Sequence, residues 1–198
     1  MSDGDAATEI MHATYRALCS YGYADLTMQD IADESSKSKA ALHYHYDSKH
    51  DLLCAFLDDL YDRFVALTDD VEGDDPHEEL LALIEAVLEN PDDDREEFET
   101  AVLEIRAQAP YEEGFRERLR RLDDHLVAEL TGILEAGVAD GTFDPGIDPA
   151  DTAGFIVTVL TGTSTRRVTA GRPVECSQRM LADYVETNLL ADPAELSA

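Results

Sequence analysis

Apolar residues recur at three- and four-residue spacing over most of this chain, and amphipathic helices satisfy that pattern. A Val/Ile/Thr alternation of the strand type never extends beyond a few residues, so the chain reads as all-α. Ile10, Ala13, Ala17, Leu18 and Tyr21 form one stripe, with Gly22 placed to stop the helix. Thr27-Met-Gln-Asp30 has the form of a capping box, in which a hydroxyl accepts an amide hydrogen bond at the helix start; Ile31 and Ala32 follow as core positions. Ser38 can cap a third short helix with Ala41, Leu42 and Tyr46 inward. Ser48-Lys-His-Asp51 repeats the box and opens a long helix marked by Leu52, Leu53, Phe56, Leu57, Leu60, Tyr61 and Phe64. Residues 1 to about 48 are thus a small three-helix unit.

Turn-forming stretches at Asp69 to Pro76 and Asn90 to Asp94 bound a helix around Leu80, Leu81, Ile84, Val87 and Leu88. Further helices run from Phe98 to about Gln108 and from Phe115 through Leu134, the latter stopping before the turn-rich Asp140-Gly-Thr-Phe-Asp-Pro-Gly-Ile-Asp-Pro149. Residues 153 to 162 are apolar or small on every side, as in a helix buried all round. A last helix carries Met180, Leu181, Tyr184, Val185, Leu189 and Leu190.

With 198 residues the chain can bury one or two modest cores, and its 44% hydrophobic content argues against disorder despite a net charge of -29. Asp and Glu number 44 against 15 Lys and Arg, and only three of those cations are Lys, a balance that resembles proteins living in molar salt. An acidic protein made to bind a basic partner would mass its acids in one tail, which this chain does not do. Cys19, Cys54 and Cys176 are widely spaced, as expected of a reduced, cytoplasmic protein, and small buried packing roles are expected of them. No apolar run approaches a membrane span, and no basic leader precedes one, so neither insertion nor export is expected.

The three lysines, Lys37, Lys39 and Lys49, all lie within thirteen residues. From Ser36 to His50 the balance is +2, whereas residues 51–198 carry 36 acids and 11 arginines. Cations at the start of a helix oppose its macrodipole, and a bound phosphate would reverse that penalty. A short helix crossing another after a tight turn is also the geometry that enters a DNA major groove.

The stretch from Tyr21 through Thr27-Met-Gln-Asp-Ile-Ala-Asp-Glu-Ser-Ser-Lys-Ser-Lys-Ala-Ala-Leu-His-Tyr-His-Tyr-Asp-Ser-Lys49 to Leu53 resembles the DNA-binding signature of the tetracycline-repressor (TetR) family. The matching positions are Thr27, Ile31-Ala32, Ser38, Leu42, Tyr44 or Tyr46, and Lys49. Ser35-Ser36-Lys37 replaces the family's usual Ala-Gly-Val in the turn, and His45 stands where a Tyr is usual. The resemblance implies about nine helices: a helix-turn-helix DNA-binding domain over 1–48 and a helical ligand-sensing and dimerisation domain over 49–198. It places Thr27, His45 and Lys49 toward phosphates, and Lys37, Ser38, Lys39, Ala40, Ala41, His43 and Tyr44 toward bases or the groove wall. It implies a homodimer built from the last two helices, about 150 to 170 and 173 to 190, with Phe155, Val159 and Tyr184 in the interface, reading a palindromic double-stranded operator.

Polar or aromatic residues on apolar faces are candidates for a small-molecule effector site: Tyr61, Phe64, Phe98, Arg106, Gln108, Tyr111, His125, Thr158 and Thr161. Glu99 and Glu104 carry little information in so acidic a chain. His43 and His45, two apart on a helix, face away from each other and make no metal set with His50. No nucleophile elbow, phosphate loop or His-Glu-x-x-His occurs, so neither an enzyme nor a cofactor is expected. Arg116, Arg118, Arg120 and Arg121, the only other basic cluster in this reading, lie among Glu112, Glu113, Glu117, Asp123 and Asp124 as a salt-bridged surface. The alternative function is a helical ligand- or protein-binding module that does not read DNA sequence.

Overall fold

The computed structural model describes residues 3–88 and 95–191, so the turn expected at Asn90 to Asp94 lies outside the described residues. Among the described residues there are nine helices: α1 (Asp3–Asp25), α2 (Met28–Asp33), α3 (Lys39–His45), α4 (Lys49–Asp69), α5 (Pro76–Leu88), α6 (Arg95–Gln108), α7 (Glu113–Asp140), α8 (Pro149–Ala170) and α9 (Glu175–Asn188). The sequence signals act as chemistry dictates. Thr27 Oγ1 accepts from the Asp30 amide at 3.3 Å while Asp30 Oδ2 accepts from the Thr27 amide at 2.8 Å, closing the capping box. Ser38 caps α3, and Ser48 accepts from the Asp51 amide. The chain runs helically past Gly22, but that residue breaks α1 with φ 69° and ψ 172°, a conformation open to glycine.

Packing divides the chain into two compact units that cut it elsewhere than at residue 48. The first comprises the residues up to Arg63 and those from α6 to Arg121; the second runs from Phe64 through α5 and from Leu122 onward. Helices α4 and α7 each begin in the first unit and end in the second.

In the first unit α6 lies along α1, and Phe98 packs against Tyr15 (4.7 Å between ring centroids) and edge-on to Phe56 (6.2 Å). Leu18, Ile31, Leu42, Leu52, Leu53 and Phe115 complete its core. In the second unit Leu80, Ile84, Leu130, Leu134, Ile156, Leu160, Leu181 and Val185 surround Phe143. The chain after α7 folds back so that the Phe143 amide donates to Gly137 O (2.9 Å), and the Asp144 amide to Leu189 O (2.8 Å), pinning the end of α9. A Cβ at Gly137 would sit 2.2 Å from the Phe143 ring, so only glycine admits that ring against α7.

In the single chain residues 153 to 162 bury Ile156, Val157 and Leu160 and leave Phe155 and Thr158 exposed, Phe155 being one of the residues that the resemblance assigns to a dimer interface. One expectation is corrected. Of the cysteines only Cys54 is buried, while Cys19 is half-buried and Cys176 exposed, because Cys176 lies in the first turn of α9, away from the face that carries Leu181 and Val185.

Replacing Gly137 by Ala should destabilise the protein by about 1 to 3 kcal/mol, since the ring must move or the helix must part. Thermal unfolding followed by circular dichroism checks this, and pairing it with Phe143→Leu should recover part of the loss.

Candidate nucleic-acid interface

The turn between α2 and α3 is built without a left-handed residue, since no non-glycine among the described residues has positive φ. Ser35 supplies the missing geometry with its hydroxyl, which donates to Ala32 O (3.1 Å) and accepts from the Lys37 amide (3.0 Å). Glu9 on α1 then takes the Ser36 amide (2.8 Å) and pairs with Lys37 Nζ (3.3 Å). The Ser36 hydroxyl first, then its amide, with Lys37 adding charge, hold the Glu9 carboxyl at about 2 instead of 4.5. Arg16 reaches the other end of the turn, donating to Glu34 O (2.6 Å). Side-chain hydrogen bonds thus set what a glycine would otherwise set.

The three lysines meet different fates. Lys49 Nζ donates to Tyr23 O (3.0 Å) and Leu26 O (2.9 Å) and sits 4.8 Å over the Tyr23 ring, and burial pushes its pKa down. Its ammonium holds the first turn of α4 to the end of α1, and little of it faces outward. Lys37 is paired with Glu9 and half-buried. Lys39, at the first position of α3, is exposed. Around it the outer face of α3 presents Ala40, His43, Tyr44 and His45, with Tyr44 85% exposed and stacked edge-on with His45. Leu42 is the helix's buried residue and Ala41 is partly covered. Thr27 and Ser38 are exposed, but their hydroxyls are engaged as caps, that of Thr27 also donating to Asp30 at 2.6 Å. Capping orients these groups; the Thr27 proton is spent on Asp30, whereas Ser38 only accepts at its cap and keeps its hydroxyl proton for an outside acceptor such as phosphate.

The nine effector candidates are not brought together within either unit. Tyr61, Phe98, Arg106, Gln108 and Tyr111 belong to the first. There Tyr61 lies under the Arg121 guanidinium at 3.6 Å, Phe98 packs partly buried against the core, Arg106 is exposed on α6 beside buried Ile105, and Tyr111 is exposed in the loop after α6. In the second unit Phe64 meets His125 edge-on at 5.9 Å, while Thr158 donates to Gly154 O on the exposed face of α8 and Thr161 is half-buried. The sequence reading misses Thr68, whose buried hydroxyl lies 2.9 Å from His125 Nε2, with Glu129 3.8 Å from Nδ1. Its signal is a polar residue one turn after Phe64. It also misses Glu104, which accepts the Tyr23 amide at 2.6 Å beyond the break in α1. The arginines of α7 do form salt bridges, but Arg118 and Arg121 both reach to Asp58 of α4.

The sequence profile of the tetR family of bacterial regulatory proteins matches residues 10–56, and that of the C-terminal domain of BetI-type transcriptional repressors matches residues 76–190. A crystal structure of a TetR transcription regulator from Haloarcula marismortui is 40% identical, with a TM-score of 0.88, covering 94% of this chain and 99% of that one. The HTH-type transcriptional repressor KstR2 of Rhodococcus jostii is 28% identical over 145 residues, 71% of this chain and 69% of its own. A transcriptional regulator from Saccharomonospora viridis, solved in complex with choline, shares the fold at 24% identity and a TM-score of 0.82, over 96% of this chain and all of that one.

The Glu9 carboxyl has a folded pKa below its unfolded one, so its contribution is complete above pH 4.5 and is lost as pH falls toward 2. Denaturant unfolding between these pH values should show a shallower loss of stability in Glu9→Gln than in the parent protein; parallel slopes would contradict the Ser36 and Lys37 contacts.

Proposed function

This chain belongs to the TetR family of ligand-responsive, DNA-binding transcriptional regulators, and from that premise we propose that it is a homodimeric repressor of a palindromic operator in a halophilic, cytoplasmic setting. The observation that carries the reading is the outer face of α3, where Lys39, His43 and Tyr44 stand exposed on a helix held rigid by its cap and by Leu42. Residues 1–48 are the DNA-reading head and the remainder senses and dimerises. Lys39, Ala40, His43 and Tyr44 address base edges, and His45 addresses the backbone. Lys49 and Lys37 act by positioning α4 and the turn, which departs from the direct contacts the resemblance implies. The acid excess supports life in molar salt, as does the likeness to a Haloarcula protein.

The dimer forms through α8 and α9. Phe155 (47% exposed) lies against Tyr184 (5.2 Å), with half-buried Val159 one turn on and Met180 58% exposed nearby in sequence, an apolar face that a second copy would cover. The effector is a small molecule sensed in the second unit around Phe64, Thr68 and His125. Because α4 runs from Lys49 in the head into that unit, a ligand there tilts α4 and changes the spacing of the two recognition helices from the roughly 34 Å of successive major grooves.

Fluorescence anisotropy against the duplex upstream of the chain's own gene, in molar KCl, with a scrambled duplex as control, tests the reading. Preference for the natural duplex is expected, and its absence at that site and in genome-wide selection of bound fragments would favour the binding-module alternative. Lys39→Ala should weaken binding with an unchanged melting temperature, whereas Lys49→Met should lower the melting temperature itself. The salt dependence should be shallow or inverted, since a dimer this acidic must take up cations to approach DNA, and a steep loss from dilute to molar salt would contradict it. Phe155→Asp should shift sedimentation toward monomer.

A further inference from the structure

Positive charge gathers at one further place, which the sequence reading passes over. Between Thr163 and Leu181 the chain carries Arg166, Arg167, Arg172 and Arg179 against a single acid, Glu175, in a protein of net charge -29. The first and last lie thirteen positions apart, on two different helices. The turn between α8 and α9 brings two of them, Arg166 and Arg172, to one pocket. Gly171, in the left-handed conformation at φ 57°, lets the Arg172 amide reach Arg166 O at 3.3 Å and so sets the two arginines at one mouth. There Arg166, Arg172, Thr163, Pro173, Cys176 and Ser177 line a pocket of about 250 Å³.

Two facts mark this pocket as more than a gap between helices. Arg16, Arg63, Arg116, Arg118 and Arg121 each have a carboxylate within 4 Å, as expected where acids outnumber bases about threefold. Arg166 and Arg172, which line one cavity, have none among the described residues. The lining is also of mixed character. The Pro173 ring, the Thr163 methyl and the arginine stems are apolar, while two guanidiniums and the Ser177 hydroxyl offer donors to an anionic oxygen. In addition, α9 starts beside the pocket at Val174, which gives its first turn no side-chain cap.

We propose that this α8–α9 pocket binds a small organic anion, a carboxylate or phosphate head on Arg166 and Arg172 with a compact apolar body against Pro173. The site is separate from the effector region around His125 and does not rest on it. Its Arg166 lies three turns along α8 from Phe155 on the same helical face, since eleven residues make just over three full turns. The competing occupant is therefore a carboxylate of a second copy.

The test titrates full-length protein with sodium benzoate and, separately, with inorganic phosphate, at constant ionic strength in KCl, reading melting temperature and calorimetric heat. A saturable response to either probe is expected; benzoate alone would assign a carboxylate, phosphate alone a phosphoryl head. Arg166→Gln/Arg172→Gln, at exposed positions, should require about tenfold more anion or above, the scale of one lost charged hydrogen bond, while Arg116→Gln should not differ from the parent. No saturable response in the parent protein, or an equal response in the double variant, overturns the proposal. So does a double variant that shifts the monomer–dimer balance in sedimentation while the parent ignores both anions, which would hand the pair to the partner's carboxylates.

Discussion

The break in α1 at Gly22 is the constraint on which the DNA-reading end of the molecule is built. A helix interrupted there leaves backbone groups without helical partners, and such groups must be satisfied if they are to be covered. Two side chains from distant sequence do this: Glu104 of α6 takes the Tyr23 amide, and Lys49 at the first residue of α4 gives its ammonium to the carbonyls of Tyr23 and Leu26. Both are charge-assisted hydrogen bonds, stronger and more directional than neutral ones. They tie α1, α4 and α6 at one point, just before the chain enters α2. A glycine alone fits, because the φ is positive and because a Cβ would lie 3.0 Å from Glu104 Oε2.

From that knot the electrostatics of the head follow. Three lysines close in sequence look equivalent, yet a lysine whose ammonium is shared between two carbonyls is a structural bond, one paired with Glu9 is a brace for the turn, and only the third faces outward. The braces let α3 be short. A seven-residue helix has little stability of its own, so its position comes from Leu42 in the core, the Ser38 cap and the turn that Ser35 and Glu9 close. Rigid presentation of His43 and Tyr44 is the result, and rigidity is what the proposed base-reading role would require.

The second unit rests on a different device, the Phe143 ring set against Gly137 and pinned by the paired backbone of Leu189 to Ala191. It fixes α9 to the end of α7 and leaves α8 with two unlike faces. One carries Ile156 and Leu160 into the core, and the other carries Phe155 and Arg166 outward. The apolar stretch and Arg166 thus share one outward face, which carries the proposed surface for a second copy and leads to the proposed anion pocket at the end of the hairpin.

Helix positions, caps and the DNA-reading motif were legible in the sequence because they depend on neighbours three or four residues away: Thr27 with Asp30, Ser48 with Asp51, the stripe that ends at Gly22. The two-unit packing was not legible, since it depends on α6 lying along α1, a contact between residues about eighty apart. For the same reason the roles of Glu9, Glu104 and Lys49 were hidden. An acid among 44 carries no signal until the amide it accepts is known, and a lysine in a family motif looks like a phosphate ligand until its carbonyls are seen. Composition and periodicity by themselves determined an acidic, all-helical chain with a small three-helix unit at its start, and the resemblance of Thr27 to Lys49 identified that unit as a helix-turn-helix. Tertiary structure alone decided which charges are spent inside and which remain to meet a ligand, because desolvation and hydrogen-bond geometry act between groups that sequence distance does not relate.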